Sequence, residues 1–125
     1  MAVYAWPDGA RETVGFVNFI RHGDVYLEGG MCVKKGFYRR IPREHWQEIK
    51  SRGGIAQMMM EEAKHKLNDR AAWFGYCGDG MALAADLRAG YRKTSRPYLI
   101  AQWFQDVDDA RREQLTDEIA RIGPF

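Results

Sequence analysis

Cysteine is scarce in this chain of 125 residues, with Cys32 and Cys77 the only two. They make at most one bridge and form no Cys-x-x-Cys pair, which excludes a disulfide framework and leads us to expect a reducing, cytoplasmic setting. Histidine is almost as sparse, and His22, His45 and His65 share no zinc-type spacing with the cysteines, so neither a metal nor a cofactor is expected. No run approaches the ~18 consecutive apolar residues of a membrane span. Residues 1–8 lack a basic stretch followed by an apolar one, so no export signal and no membrane partner are expected. Net charge is small too: 19 Lys and Arg against 17 Asp and Glu leave +2, too little by itself to demand a polyanionic partner. Internal repeats, low-complexity tracts and linkers are missing.

What is present suits one globular core. Apolar residues make up 46% and charged residues 29% of the chain, and 6 Phe, 6 Tyr and 4 Trp supply bulky side chains to bury. Residues 1–125 therefore read as a single domain. Thr13 to Arg21 alternates like a strand, His22-Gly23-Asp24 supplies a hairpin tip, and Val25 to Glu28 returns. Gly29-Gly30 reads as a second turn and Met31 to Arg40 as a third strand interrupted by Gly36. Pro42 opens a short helix that Gly53 closes, and Ile55, Met59, Ala63 and Leu67 mark a second one supported by Glu62 and Lys66. Ala71 to Cys77 reads as a buried strand, Asp79 as the cap of a helix through Leu83, Leu87 and Tyr91, and Pro97 to Phe104 as another strand. A final helix starts at the aspartates Asp106, Asp108 and Asp109 and carries Val107, Leu115, Ile119 and Ile122. The expected class is α+β: a mixed, mostly antiparallel sheet with helices packed on it, in the order β-β-β-α-α-β-α-β-α.

Charge is unevenly placed. Seven basic residues lie between Val33 and Arg52 against Glu44 and Glu48, whereas six carboxylates face three arginines from Gln105 onward. Lys34, Lys35, Phe37, Tyr38, Arg39, Arg40 and Arg43 interleave cations with two aromatics, a pattern that neutralises phosphates and stacks bases, or docks an acidic protein. Lys35-Gly36-Phe37 resembles the start of an RNA-recognition motif, although the order of elements differs from that fold. The leading expectation is a non-enzymatic binding or regulatory module whose basic face meets a nucleic acid or an acidic protein surface.

The second candidate is Gly75-Tyr76-Cys77-Gly78-Asp79-Gly80, where a strand passes into a helix whose free N–H groups suit an anion. Gly78 and Gly80 resemble the acyl-CoA loop of the GNAT family of N-acetyltransferases, in which strand, x-x-Gly-x-Gly, helix, strand and helix follow one another. The resemblance covers about the last 55 residues, and Gly75 stands where that family has Gln or Arg. It implies a carrier pyrophosphate over Gly78, Asp79 and Gly80, with Cys77 or a histidine assisting acyl transfer. A tight turn with a helix cap is the competing account of Gly75, Cys77, Gly78, Asp79 and Gly80.

Smaller motifs say less. Arg21-His22-Gly23 resembles the signature of histidine phosphatases, but a hairpin tip explains it better. Glu62-x-x-His65 occurs once, where di-iron bundles need two copies, and His65 reads as a solvated partner of Glu61. Met58 and Met59 fit the core stripe, which leaves Met60 outside. A protein inhibitor or immunity-type partner is a third expectation, with Trp6, Trp46 and Trp103 as possible anchors.

Overall fold

The computed structural model describes residues 1–125. Six strands form one sheet in the order β1-β2-β3-β4-β6-β5: β1 (Ala2–Ala5), β2 (Arg11–His22), β3 (Val25–Val33), β4 (Ala72–Tyr76), β5 (Arg92–Lys93) and β6 (Leu99–Trp103). Every pairing is antiparallel except β3 with β4. The helices are α1 (Arg43–Ser51), α2 (Ile55–Lys66), α3 (Gly80–Arg88) and α4 (Asp109–Ile122). The expected α+β class and mixed, mostly antiparallel sheet are therefore present, with β1 and β5 added to the expected order.

The sheet is covered on both faces. On one, Val25, Leu27, Ala72, Phe74, Leu99 and Ala101 meet Leu115 and Ile119 of α4. On the other, Tyr26, Trp73 and Ile100 meet Met60 of α2, Ala89 and Tyr91. A third cluster joins Val14, Phe37, Ile41, Ile55 and Met59 beside β1 and β2. Trp73 is fully buried, in contact with Phe19 and Phe104, and its indole N–H donates to the Leu67 carbonyl at 2.8 Å. That bond removes the one polar cost of burying the ring.

Three expectations change here. Gly29-Gly30 is a bulge inside one long strand rather than a turn: Asn18 faces Gly30 and Phe19 faces Glu28, leaving Gly29 unpaired. An extra residue reverses the side-chain phase, so Met31 and Val33 join Tyr26 and Glu28 on the face under α1–α3. The strand then stops at Val33, because Gly36 turns left-handed (φ 77°) and sends Phe37–Arg39 into one turn of 3-10 helix. Met60 is buried, not exposed, since α2 is held between two clusters and needs a wider apolar stripe than one row of every fourth residue.

Candidate functional site

The basic segment is largely occupied with its own scaffold. Phe37 is fully buried against Tyr4, with ring centroids 5.2 Å apart, and the Tyr38 hydroxyl accepts the Ile55 N–H at 3.1 Å, satisfying a free donor at the start of α2. Phe37 is not free to stack on a base, as the alternation suggests, and Tyr38 is half-buried. Lys34 and Arg40 both close on Glu12 of β2, the lysine at 2.9 Å and the guanidinium with two prongs. The Arg40 bonds, then the Lys34 bond, hold the Glu12 carboxyl at about 2. Arg40 also lies over the Trp6 ring at 5.7 Å. One carboxylate between two cations leaves a net +1 there. Lys35, Arg39 and Arg43 are exposed with no carboxylate within 4.0 Å, and Lys50 lies over Trp46 at 4.7 Å.

Four of the five loop residues do come together. Cys77, Gly78, Asp79 and Gly80 line a cleft of about 530 Å³ whose opposite wall carries Lys93, Thr94, Ser95, Arg96 and Tyr98. Gly75 stays inside the sheet, buried beside Glu28 and Ile100. The Cys77 N–H donates to the Tyr98 carbonyl at 2.8 Å, and the Asp79 carboxylate turns to accept the Ala82 N–H at 3.2 Å, capping α3. Arg96 is paired with Asp117 at 2.7 Å and Ser95 with Glu113 at 3.1 Å, so Lys93 is the cation of this wall without a carboxylate. Tyr98 stands at φ 65°, a left-handed conformation that a bulky side chain rarely adopts. Burial pushes the Cys77 thiol up, and the neighbouring Asp86 adds to the shift, which opposes a thiolate nucleophile.

The histidines lie elsewhere. His22 is 4.0 Å from Glu118 on α4, while His45 and His65 line a second cleft of about 590 Å³ between β1 and helices α1 and α2. A hydrogen bond joins His45 Nδ1 to the Tyr4 hydroxyl. Ile55, Met58 and Met59 supply apolar walls, and Glu48, Glu61 and Glu62 add carboxylates. Glu48 pairs with Arg52 and Glu62 with Lys66, whereas Glu61 meets Gln57, not His65 as the sequence suggested. This cleft is absent from the sequence reading: Tyr4 and His45 are 41 positions apart, and no local pattern announces their meeting. Comparison of the chain with protein-family models, with curated proteins and with solved structures returned no match.

Proposed function

We propose that the chain is a non-enzymatic binding module that docks an acidic protein surface on the basic segment leading into α1. The observation that carries this reading is that Lys35, Arg39 and Arg43 stand exposed without carboxylate partners. Pro42 offers no side-chain cap, so the positive end of α1 adds to them. An acidic protein suits them better than a nucleic acid, because Phe37 is fully buried and Tyr38 is half-buried with its hydroxyl engaged by the Ile55 N–H, which leaves little aromatic surface for bases. An inhibitor or immunity role is the case in which the docked protein is an enzyme. The test is titration with polyglutamate and with oligothymidylate across a salt series. Affinity for polyglutamate should fall steeply with salt and be lost in Arg39→Glu/Arg43→Glu. Affinity that is flat with ionic strength, or that survives the charge reversal, removes the proposal; tighter binding of the oligonucleotide transfers it to nucleic acid.

The cleft of Cys77, Gly78, Asp79 and Gly80 supports a second reading, acyl-CoA binding with the pyrophosphate facing Lys93. Neither glycine is required by the turn: an added Cβ meets nothing within 4 Å at Gly80 and only Tyr98 at 3.8 Å from Gly78. Gly78→Val/Gly80→Val should therefore fold, and acetyl-CoA calorimetry on both proteins reads the cleft directly. No heat from the unsubstituted chain ends this reading.

A further inference from the structure

α4 covers only half of its face of the sheet. Val25, Leu27, Phe74 and Leu99 lie beneath it, whereas β1, β2 and the end of β3 carry nothing on that side. The cross-strand pairs settle which residues stand there, because partners in a pair share a face. Val3 faces Thr13 and Phe16 faces Cys32, and all four are exposed. Their chain neighbours Tyr4, Val17 and Met31 point the other way and are half-buried with the helices of the opposite face. Val3 and Ile20 are 51% exposed and Phe16 46%. Glu118 on α4 reaches His22 of β2 at 4.0 Å, so that flank of the helix borders the bare strands, and Ile122 stands one turn further along it, 46% exposed. The charged or titratable residues of β2 on this face, Arg11 and His22, stand at its two ends, with Phe16 and Ile20 between them. An apolar row of this kind without an interior charge marks a contact surface.

The profile of the face selects its occupant. α4 rises from the sheet as a step about one helix diameter high, ~10 Å, which is also the distance at which one sheet packs on another, ~10 Å. A second sheet laid on the bare strands therefore comes to rest level with α4. The edge beside those strands is open as well. β1 pairs only with β2. The Trp6 N–H donates to the Ala10 carbonyl, and Tyr4 shares that inward phase, so the N–H and C=O groups of Val3 and Ala5 point away from the sheet. Ala2–Ala5 has no lysine or proline to guard that edge.

We propose that the bare face packs on the same face of a second copy of this chain, sheet on sheet, in a weak and reversible dimer. A two-fold axis along the strands lets the two steps interlock, whereas an axis across them would drive α4 into the partner's sheet. The interlocked arrangement sets the open β1 of each copy against the flank of α4 in the other, so that one contact covers both the apolar row and the free edge. The two arginines at position 11 stay at the rim, in solvent. Three strands ~4.8 Å apart over about eight residues of ~3.4 Å cover roughly 400 Å² per copy. With the α4 flanks, the two copies together bury about 1,000 Å², the low end for a specific contact. Association in the micromolar range or weaker follows. The surface uses none of the residues of the basic segment.

Sedimentation equilibrium of the full chain from about 10 μM to about 1 mM, with backbone amides followed by NMR over the same range, is the test. The expected result is a mass that rises from one chain toward two, with concentration-dependent shifts at Val3, Phe16, Ile20, Cys32 and Ile122. Hydrogen exchange at the Val3 and Ala5 amides should slow as the dimer forms. Phe16→Thr/Ile20→Thr keeps β-branched residues at exposed strand positions, so it should melt cooperatively and weaken self-association about tenfold or more. A chain that stays single at the highest concentration overturns the second copy as occupant. Self-association that the threonine variant leaves unchanged, or shifts confined to other faces, overturns the surface. Exchange at Val3 and Ala5 that does not respond to concentration overturns the interlocked arrangement.

Discussion

Removing the Tyr91 hydroxyl should destabilise the protein more at neutral than at acid pH. Tyr91 is fully buried and its hydroxyl donates to Glu28 Oε2 at 2.6 Å, across 63 residues of chain. Burial raises the Glu28 carboxyl above its ordinary value of 4.5, the Tyr91 bond partly offsets this, and Asp86 raises it further. Asp86 is itself raised by burial. A carboxyl raised in the folded state contributes stability that is full below pH 4.5 and is lost as pH rises through the folded value. At neutral pH the phenol is what solvates the ionised Glu28. Tyr91→Phe therefore forfeits a hydrogen bond to a charged acceptor and should cost about 1.5–3 kcal/mol at pH 7.5, falling toward about 0.5–1.5 kcal/mol at pH 4, where the bond joins neutral groups. Urea melts at both pH values measure this, and thermal midpoints should fall by about 3–6 °C per kcal/mol at this chain length. Glu28→Gln keeps an acceptor for the phenol and buries no charge, so its stability at pH 7.5 should equal or exceed the parent's, with a shallower decline above pH 4.5. A Tyr91→Phe cost that is equal at both pH values, or a Glu28→Gln loss larger than that of Tyr91→Phe at pH 7.5, would refute the reasoning.

Glu12→Gln should flatten the stability profile between pH 4.5 and about 2, because a carboxyl held at about 2 contributes stability above its unfolded value that is lost as pH falls through the folded one; acid titration followed by circular dichroism reads this. Tyr38→Phe should cost about 0.5–2 kcal/mol in urea melts by leaving the Ile55 N–H without its acceptor. Deleting Gly29 should abolish cooperative melting, since closing the bulge turns Met31 and Val33 out of the packed face. Alkylation at pH 8 should modify exposed Cys32 well before Cys77, whose thiol burial pushes up, as mass spectrometry of peptides would show.

Features set by neighbouring residues were legible in the sequence. The hairpin tip at His22-Gly23-Asp24, the Asp79 cap, the start of α4 at its aspartates, where Asp108 proves to be the cap, and the closure of α1 at Gly53 each depend on a few adjacent side chains. Features decided by distant packing were not. A Gly-Gly pair suits both a turn and a bulge, and only the run of pairing from Gly15–Val33 to His22–Val25 selects the bulge. The alternation from Lys34 to Arg40 suits a strand, but left-handed Gly36 and the buried seat of Phe37 beneath Tyr4 outweigh it. β1 is four residues long and ends before Pro7, too short for a periodic signal. With β1 unseen, the cleft that it shares with α1 and α2 was invisible as well.

Cys77 and the three histidines stand at three separate places in the fold. A group-transfer site needs a nucleophile, a base and a charge-stabilising donor within reach of one another. Here Cys77 faces the backbone of Asp79 and the carboxylate of Asp86, and the cleft it lines contains no histidine. His45 is tied to Tyr4, and His22 lies beside Glu118. Two carboxylates with shifted titration, Glu12 and Glu28, join segments of the scaffold: the first ties β2 to Lys34 and Arg40, and the second ties β3 to Tyr91. Lys35, Arg39 and Arg43 remain without carboxylate partners, whereas Glu48 and Glu62 are paired with Arg52 and Lys66. Unpaired charge of one sign on a folded surface steers an oppositely charged partner toward it.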